Sequence, residues 1–97
     1  MDKRAVVLHP QDNVATAITD LEVGDVVKIA GKVDCLAKEL VPFGHKIALT
    51  SIAAGQAIIK YGENIGLAAG DIEQGACVHV HNIEGQRGRG DRAKGDK

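Results

Sequence analysis

The sequence predicts a small, mainly β domain built from many short strands. The chain of 97 residues contains 12 glycines, and these separate short runs of aliphatic residues. A pattern of aliphatic–x–x–Gly–x–x–aliphatic recurs three times, as LEVGDVV, IAAGQAI and IEQGACV. Helical periodicity is confined to one segment near the amino terminus. Short strands divided by glycine turns are typical of barrels and clip-like folds.

The amino-terminal elements follow from the spacing of apolar residues. Residues 4–9, RAVVLH, form an apolar run that predicts the first strand. Pro10 favours a bend, and Asp12 or Asn13 is a suitable cap for a helix. In NVATAITDL the apolar residues of 14–21 lie at i, i+3, i+4 and i+7. This spacing predicts one short helix.

The three recurring motifs predict the turns that follow. Gly24, Gly55 and Gly75 each come three positions after an aliphatic residue. A tight turn whose glycine has positive φ, followed by a strand, accounts for this pattern. The intervals of 31 and 20 residues exclude a solenoid of fixed period. The remaining strands are predicted in residues 26–30, 45–52, 57–61, 65–69 and 76–82.

The last predicted strand, ACVHVHN, contains two closely spaced histidines. Strand alternation places Val78 and Val80 on the core face, and His79 and His81 on the other face with Cys77. Imidazole and thiolate are zinc ligands, but structural zinc sites use other spacings. Two interpretations stay open: contact with a metal or ligand, or the solvated polar face of an edge strand.

Two further stretches carry polar groups next to turns. His45 follows a Pro–Gly turn in PFGHK and opens a predicted strand. In KYGEN, Lys60, Tyr61 and Glu63 surround Gly62. Such a turn could bind an anionic, hydroxylated ligand, with Lys60 at a carboxylate and Glu63 at hydroxyls. An ordinary solvated turn is the alternative interpretation.

The carboxyl-terminal stretch differs from the rest of the chain. Residues 85–97 hold five basic and two acidic residues, so they carry +3 where residues 1–84 carry −4. We expect one folded domain in 1–84 and a flexible Gly/basic tail in 85–97. A tail this short and mixed makes nucleic acid an unlikely partner. An aromatic content of 2% also leaves few rings to stack on bases.

The chain shows no feature of secretion, membrane insertion or independent catalysis. It has no signal peptide and no run approaching the ~18 apolar residues of a membrane span. Its two cysteines then indicate free thiols in a reducing cytoplasm, so we expect a cytoplasmic protein without a membrane partner. Nucleophile–base motifs and phosphate-binding glycine loops are absent from the sequence. A small domain also has difficulty enclosing a water-free site, which favours an accessory subunit that is not active alone.

Three motifs, in their order and spacing, carry a resemblance to a known family. They are GHKIAL (44–49), IKYGENIG (59–66) and HVHN (79–82). Together with DNVATAITDLEVGD, they resemble the small amino-terminal domain of the altronate/galactarate dehydratase family. The similarity extends over roughly residues 4–90. It implies a SAF-type β-clip fold.

The resemblance also implies a function. The family's enzymes are lyases that remove water from sugar acids. A related member removes sulfite from sulfolactate, and this domain also resembles the small subunit of that enzyme. We therefore expect a small subunit or amino-terminal domain that helps form the substrate site with a large catalytic subunit. A divalent metal, iron(II) or similar, is expected in that large subunit, and no metal ligand is assigned in this chain. The implied substrate-binding residues are His45, Lys46, Lys60, Tyr61, His79, His81 and Asn82.

Other functions compete with this one. The main alternative is a free-standing sugar-acid-binding SAF module without catalysis. A periplasmic assembly chaperone of the P-ring type would need a signal peptide. RNA binding would depend on the basic tail. The chain ends just after QRGRGD, where a fused enzyme would continue, so we expect either a separate subunit or an excised domain.

Overall fold

A computed structural model of the chain describes residues 2–85, which form nine short strands and one 3₁₀ turn. The strands are β1 (Lys3–Val6), β2 (Val14–Ala17), β3 (Val26–Ile29), β4 (Cys35–Leu36), β5 (Lys46–Ala48), β6 (Ala57–Lys60), β7 (Glu63–Ala68), β8 (Cys77–Val78) and β9 (Ile83–Glu84). The 3₁₀ turn spans Val80–Asn82. The mainly β class predicted from the sequence is confirmed. Of the predicted tail, only Gly85 lies within the described residues.

The strands form two sheets. One has six strands in the order β4-β3-β1-β2-β5-β8, and the other has three in the order β6-β7-β9. Strands β1 and β3 are parallel, and the other paired strands are antiparallel. Strand β5 therefore pairs with β2 on one side and with β8 on the other, which brings distant parts of the sequence together.

Two apolar clusters pack on opposite faces of β2 and β5. Ala15 and Ile47 belong to the larger cluster, which also contains Leu21 and Val41. Val14 and Ala48 belong to the second cluster, under the β6–β7 hairpin. The core is aliphatic throughout, since both aromatic side chains, Phe43 and Tyr61, are exposed.

The helix predicted over 14–21 is wrong. Within residues 2–85 there is no α-helix, and Val14–Ala17 form β2. This strand is hydrogen-bonded on both edges and buried on both faces, so its apolar residues are nearly continuous in sequence. A run of that kind is difficult to distinguish from the buried side of a helix by periodicity. Asp12 and Asn13 consequently do not cap a helix.

The recurring turn motif is present, and the structure adds a fourth copy. Gly24, Gly55 and Gly75 have φ of 91°, 85° and 90°, as a glycine turn requires. Gly44, in VPFGHKI, has φ of 88° and the same i to i+3 backbone hydrogen bond, from His45 N–H to the Pro42 carbonyl. The sequence interpretation missed this copy.

With the fourth copy the chain becomes a duplication with an offset of 31 positions. Gly24 and Gly44 of the first repeat (residues 21–48) correspond to Gly55 and Gly75 of the second repeat (residues 52–79). The amide of Gly24 donates to Ala37 as that of Gly55 donates to Ala68. The paired bridges Leu21–Val41 and Ile52–Ile72 are likewise equivalent. Each repeat thus folds as a turn, a hairpin, and a second turn that leads into a sheet strand.

Within the described residues, no helix is long and apolar enough to cross a lipid bilayer.

Candidate functional site

A stacked pair of histidines lies where β5 and β8 meet. Lys46 pairs with Val78 in the antiparallel register, so the next position brings His45 opposite His79. Their ring centroids are 3.7 Å apart and the ring planes differ by 13°. One histidine follows the second turn of the first repeat, and the other follows the last strand of the second repeat. The fold therefore joins two residues that are 34 positions apart in sequence.

The pKa of His79 is held below its ordinary value of 6.5. Burial of the ring is the largest cause, followed by the nearby charges of His45, Lys46 and His81. Its Nδ1 atom is buried and makes no hydrogen bond to any group in residues 2–85. The neutral imidazole is therefore the favoured form at pH 7, and it can stack on His45 without repulsion between two cations.

Lys46 lies beside the histidine pair, and Lys60 lies near Lys46. Lys46 is half-buried on β5, and its pKa is lowered by burial and then by the positive charge of Lys60. Lys60 ends β6, and its Nζ is 5.3 Å from the centroid of the Tyr61 ring. Among residues 2–85, neither lysine forms an ion pair with an acidic side chain. Basic side chains without an ion pair in this part of the chain favour the binding of an anion.

We call His45, Lys46, Lys60, His79 and His81 the basic cluster. Five of the seven residues implied by the resemblance belong to it. They are grouped because Lys60 acts on the pKa of Lys46, and because His45, Lys46 and His81 act on that of His79. Tyr61 lies at its edge with an exposed side chain.

The prediction for the end of β8 is only partly right. The strand stops at Val78, and the next residues turn into the 3₁₀ segment. Val78 is fully buried, but Val80 is 78% exposed, so the prediction that both valines face the core is wrong. His81 consequently leaves the strand and lies exposed in the turn instead of following His79 along one face.

The side chain of Asn82 stabilises the turn that follows β8. Its Oδ1 accepts a hydrogen bond from the His79 N–H at 2.9 Å, and its Nδ2 donates to the Cys77 carbonyl at 2.9 Å. These bonds fold the chain sharply after β8. Asn82 thereby shapes the backbone that presents His79, and both ends of its side-chain amide are already bonded within the chain.

Both cysteines are buried, and Cys77 lies near Lys46 of the basic cluster. Cys35 and Cys77 are buried free thiols, and burial raises the pKa of each. Cys77 packs in the larger apolar cluster with Ile47. Within residues 2–85, no three His, Cys, Asp or Glu side chains are grouped so as to hold a metal ion. The parallel stacking of His45 on His79 also does not direct the two rings at a common ion.

Sequence reasoning missed the role of Asp12. Its carboxylate is buried, and it accepts hydrogen bonds from the backbone amides of Tyr61 at 3.1 Å and Gly62 at 2.8 Å. Asp12 and Tyr61 are far apart in sequence, so local spacing carried no signal of this contact.

The family model for the altronate/galactarate dehydratase SAF domain matches residues 3–86. The chain belongs to this family. The match includes the turns, both sheets and every residue of the basic cluster, which confirms the resemblance seen in the sequence motifs.

Individual relatives agree with the family model. This SAF domain is 47% identical over 75 residues to altronate dehydratase of Escherichia coli, covering 77% of this chain and 15% of that protein. It is 42% identical over 82 residues to altronate dehydratase of Bacillus subtilis, covering 84% and 16%. It is 49% identical over 51 residues to (2R)-sulfolactate sulfo-lyase subunit alpha of Paracoccus pantotrophus, covering 53% and 76%. The chain therefore spans about one sixth of the altronate dehydratases that it matches.

Proposed function

We propose that this SAF domain is the small domain or subunit of a sugar-acid lyase, and that its basic cluster binds the carboxylate of the substrate. A large catalytic part supplies the rest of the active site. The relatives support this arrangement in two ways: the altronate dehydratases are far longer than this chain, and the sulfo-lyase relative is named as a subunit.

The observation that carries the proposal is that two basic side chains, Lys46 and Lys60, lie near one another. The positive charge of Lys60 lowers the pKa of Lys46, and neither ammonium group forms an ion pair within residues 2–85, so an anion bound between them would be stabilised by both charges. A carboxylate accepts hydrogen bonds from both ammonium groups. Charge-assisted bonds of this kind contribute about 1.5–3 kcal/mol each.

The same lysines suit the chemistry of elimination. Removal of the proton next to a carboxylate moves negative charge onto the carboxylate oxygens. Fixed cations at those oxygens stabilise that charge as it develops. The stacked rings of His79 and His45 lie beside Lys46, where imidazole groups can exchange hydrogen bonds with sugar hydroxyls. The base and the group that assists the leaving hydroxyl are assigned to the large catalytic part.

The divalent metal is also assigned to the large part. The residues grouped in the described part of this chain do not form a set of three ligands.

The test is a reconstituted enzyme. The tagged chain is used to capture its large partner from native cytosol, and the complex is assayed for dehydration of galactarate and altronate and for release of sulfite from sulfolactate. Replacing His79→Ala together with His81→Ala is expected to lower kcat/KM without unfolding the domain. Wild-type kcat/KM in this double variant, with wild-type circular dichroism, would contradict the proposed site.

A free-standing binding module is the second candidate. It is favoured by one observation: all members of the basic cluster come from this single chain. This candidate predicts that the chain alone binds galactarate in titration calorimetry, and that no partner co-purifies in stoichiometric amount. Binding that requires the partner would exclude it.

A further inference from the structure

The β6–β7 hairpin carries Lys60 and Tyr61, and its tip is hydrogen-bonded to the carboxylate of Asp12. Asp12 lies between β1 and β2 and is only 6% exposed. Its Oδ2 accepts from the Tyr61 N–H at 3.1 Å and its Oδ1 from the Gly62 N–H at 2.8 Å. Each carboxylate oxygen thus accepts a hydrogen bond from one of two successive backbone amides at the hairpin tip.

The neighbouring residue fastens the base of the same hairpin. Asn13 Nδ2 donates to the Ala57 carbonyl at 2.9 Å, and Asn13 Oδ1 accepts from the Ile59 N–H at 2.8 Å. The backbone N–H of Asn13 donates to the Ile59 carbonyl at 3.2 Å. The register of β6 shifts between Ile58 and Ile59, where these bonds are made. Asp12 and Asn13 together therefore hold the hairpin from its base to its tip.

The conformation of the tip needs such a support. Tyr61 has φ of 59°, in the left-handed region that is unfavourable for a non-glycine residue. Its side chain is 61% exposed, so the strained conformation does not serve to bury the ring. Gly62 faces the ring of His9 so closely that a Cβ there would lie 2.9 Å from three ring atoms. The tip is held in one place by bonds and by packing.

We propose that Asp12 is a positioning residue that fixes the hairpin tip so that Lys60 stands beside Lys46 in the basic cluster. The inference rests on the proposed function, because only a site that uses both lysines needs this placement. Asp12 itself touches no ligand and acts through the amides of Tyr61 and Gly62.

The first experiment tests, through the pKa of Lys46, whether the charge of Lys60 lies near it. The side-chain signals of Lys46 are titrated by NMR in the 97-residue chain and in three variants, Asp12→Asn, Lys60→Ala and Asp71→Asn. Lys60→Ala removes the neighbouring charge and is expected to raise the pKa of Lys46. Asp12→Asn keeps the shape of the side chain but replaces one acceptor by a donor, so it should produce at least half of the same rise.

The matched control is Asp71→Asn. Asp71 also accepts a backbone hydrogen bond, from Ala54 at 2.9 Å, but at a turn outside the basic cluster. It should leave the pKa of Lys46 at the wild-type value. A merely structural role of Asp12 would affect stability in the same way as Asp71 and would not move this pKa.

Each outcome bears on a separate claim. If Lys60→Ala raises the pKa of Lys46 but Asp12→Asn does not, or if Lys60→Ala does not raise it, the positioning role is overturned. If both variants raise it but the galactarate KM of the reconstituted enzyme stays at the wild-type value in both, the proposed function is wrong at this site while the placement by Asp12 stands. A rise of both the pKa and KM supports both.

A second measurement covers the case in which Asp12→Asn does not fold. Couplings across hydrogen bonds are recorded in the wild-type chain, from the amide nitrogens of Tyr61 and Gly62 to the carboxyl carbon of Asp12. Observation of both couplings supports the bidentate arrangement. Their absence, when couplings are seen across the backbone hydrogen bonds of β2 and β5, would overturn it.

Discussion

The two repeats share a backbone plan but differ in how tightly their turns are enclosed. In the first repeat, Gly24, Gly31 and Gly44 have open space where a Cβ would stand. In the second repeat, Gly62 and Gly75 are the equivalents of Gly31 and Gly44. A Cβ at either position would clash with atoms of other parts of the chain. The first repeat thus uses glycine for its backbone conformation alone, whereas the second also uses it for close packing.

The repeats also differ in what they carry at equivalent positions. Lys60 and Tyr61 of the second repeat stand where the first repeat has Ile29 and Ala30. His79 stands where the first repeat has Ala48. The duplicated scaffold places strand ends at the same points in both halves, and the basic cluster arises where apolar residues of one half are replaced by polar residues of the other.

The largest effect is expected from a pair of glycine substitutions that tests this difference. Gly75→Ala places a Cβ in steric clash with the Leu36 carbonyl oxygen, in addition to the strain of φ 90°. We expect a loss of about 3 kcal/mol in the free energy of unfolding. Gly44→Ala meets no atom, so only the strain of about 1 kcal/mol applies. Urea denaturation measures both values, and equal losses would contradict the difference in enclosure.

A second pair compares the tips of the two hairpins. Lys60→Ala is expected to raise the galactarate KM of the reconstituted enzyme about tenfold, or about 1.4 kcal/mol, because one charge-assisted hydrogen bond is lost. Lys32, at the first-repeat tip, donates to the Pro10 carbonyl at 3.2 Å. Lys32→Ala removes the same charge from the chain and should leave KM unchanged. A similar rise in both variants would indicate a general effect of net charge.

A third pair tests the equivalence of the repeats. Asp25 and Gln56 follow the first glycine of their repeats, and each accepts a hydrogen bond from the backbone three residues earlier, at 2.7 Å and 2.5 Å. Asp25→Ala and Gln56→Ala should each destabilise the domain by about 1 kcal/mol. Thermal unfolding measures the two losses. Asp25 Oδ2 also lies 3.5 Å from Lys3 Nζ. Asp25→Ala should therefore destabilise the domain slightly more than Gln56→Ala, and this difference should disappear in high salt.

The smallest effect concerns the pH dependence of His79. Because its pKa is lowered by burial and nearby positive charges, the unfolded chain binds more protons below the ordinary value of 6.5. Stability is therefore full above that pH and decreases as the pH falls through the window down to the folded-state pKa. In His79→Gln this part of the pH dependence should vanish. An unchanged slope of melting temperature between pH 7 and pH 5 would contradict the assignment.

Much of the fold could be predicted from the sequence because its signals are local. The glycine turns require positive φ, a property of three or four neighbouring residues, and three of the four copies were found. The motifs GHKIAL, IKYGENIG and HVHN likewise carried enough information to identify the family. The strands around Val26 and Ala57 were correctly predicted from short apolar runs between turns.

What the sequence by itself determined is therefore the mainly β class, the turns and the family, and its motifs predicted the five residues of the basic cluster. The tertiary structure alone decided that residues 14–17 form a strand, since burial on both faces removes the alternation that identifies one. It also decided that Val80 faces solvent, because the side chain of Asn82 turns the chain after Val78. Finally, it decided the stacking of His45 on His79 and the hydrogen bonds of Asp12 to the hairpin tip. The first contact joins residues 34 positions apart and the second joins residues 49 positions apart. Such contacts depend on strand pairing and produce no periodic pattern in the sequence.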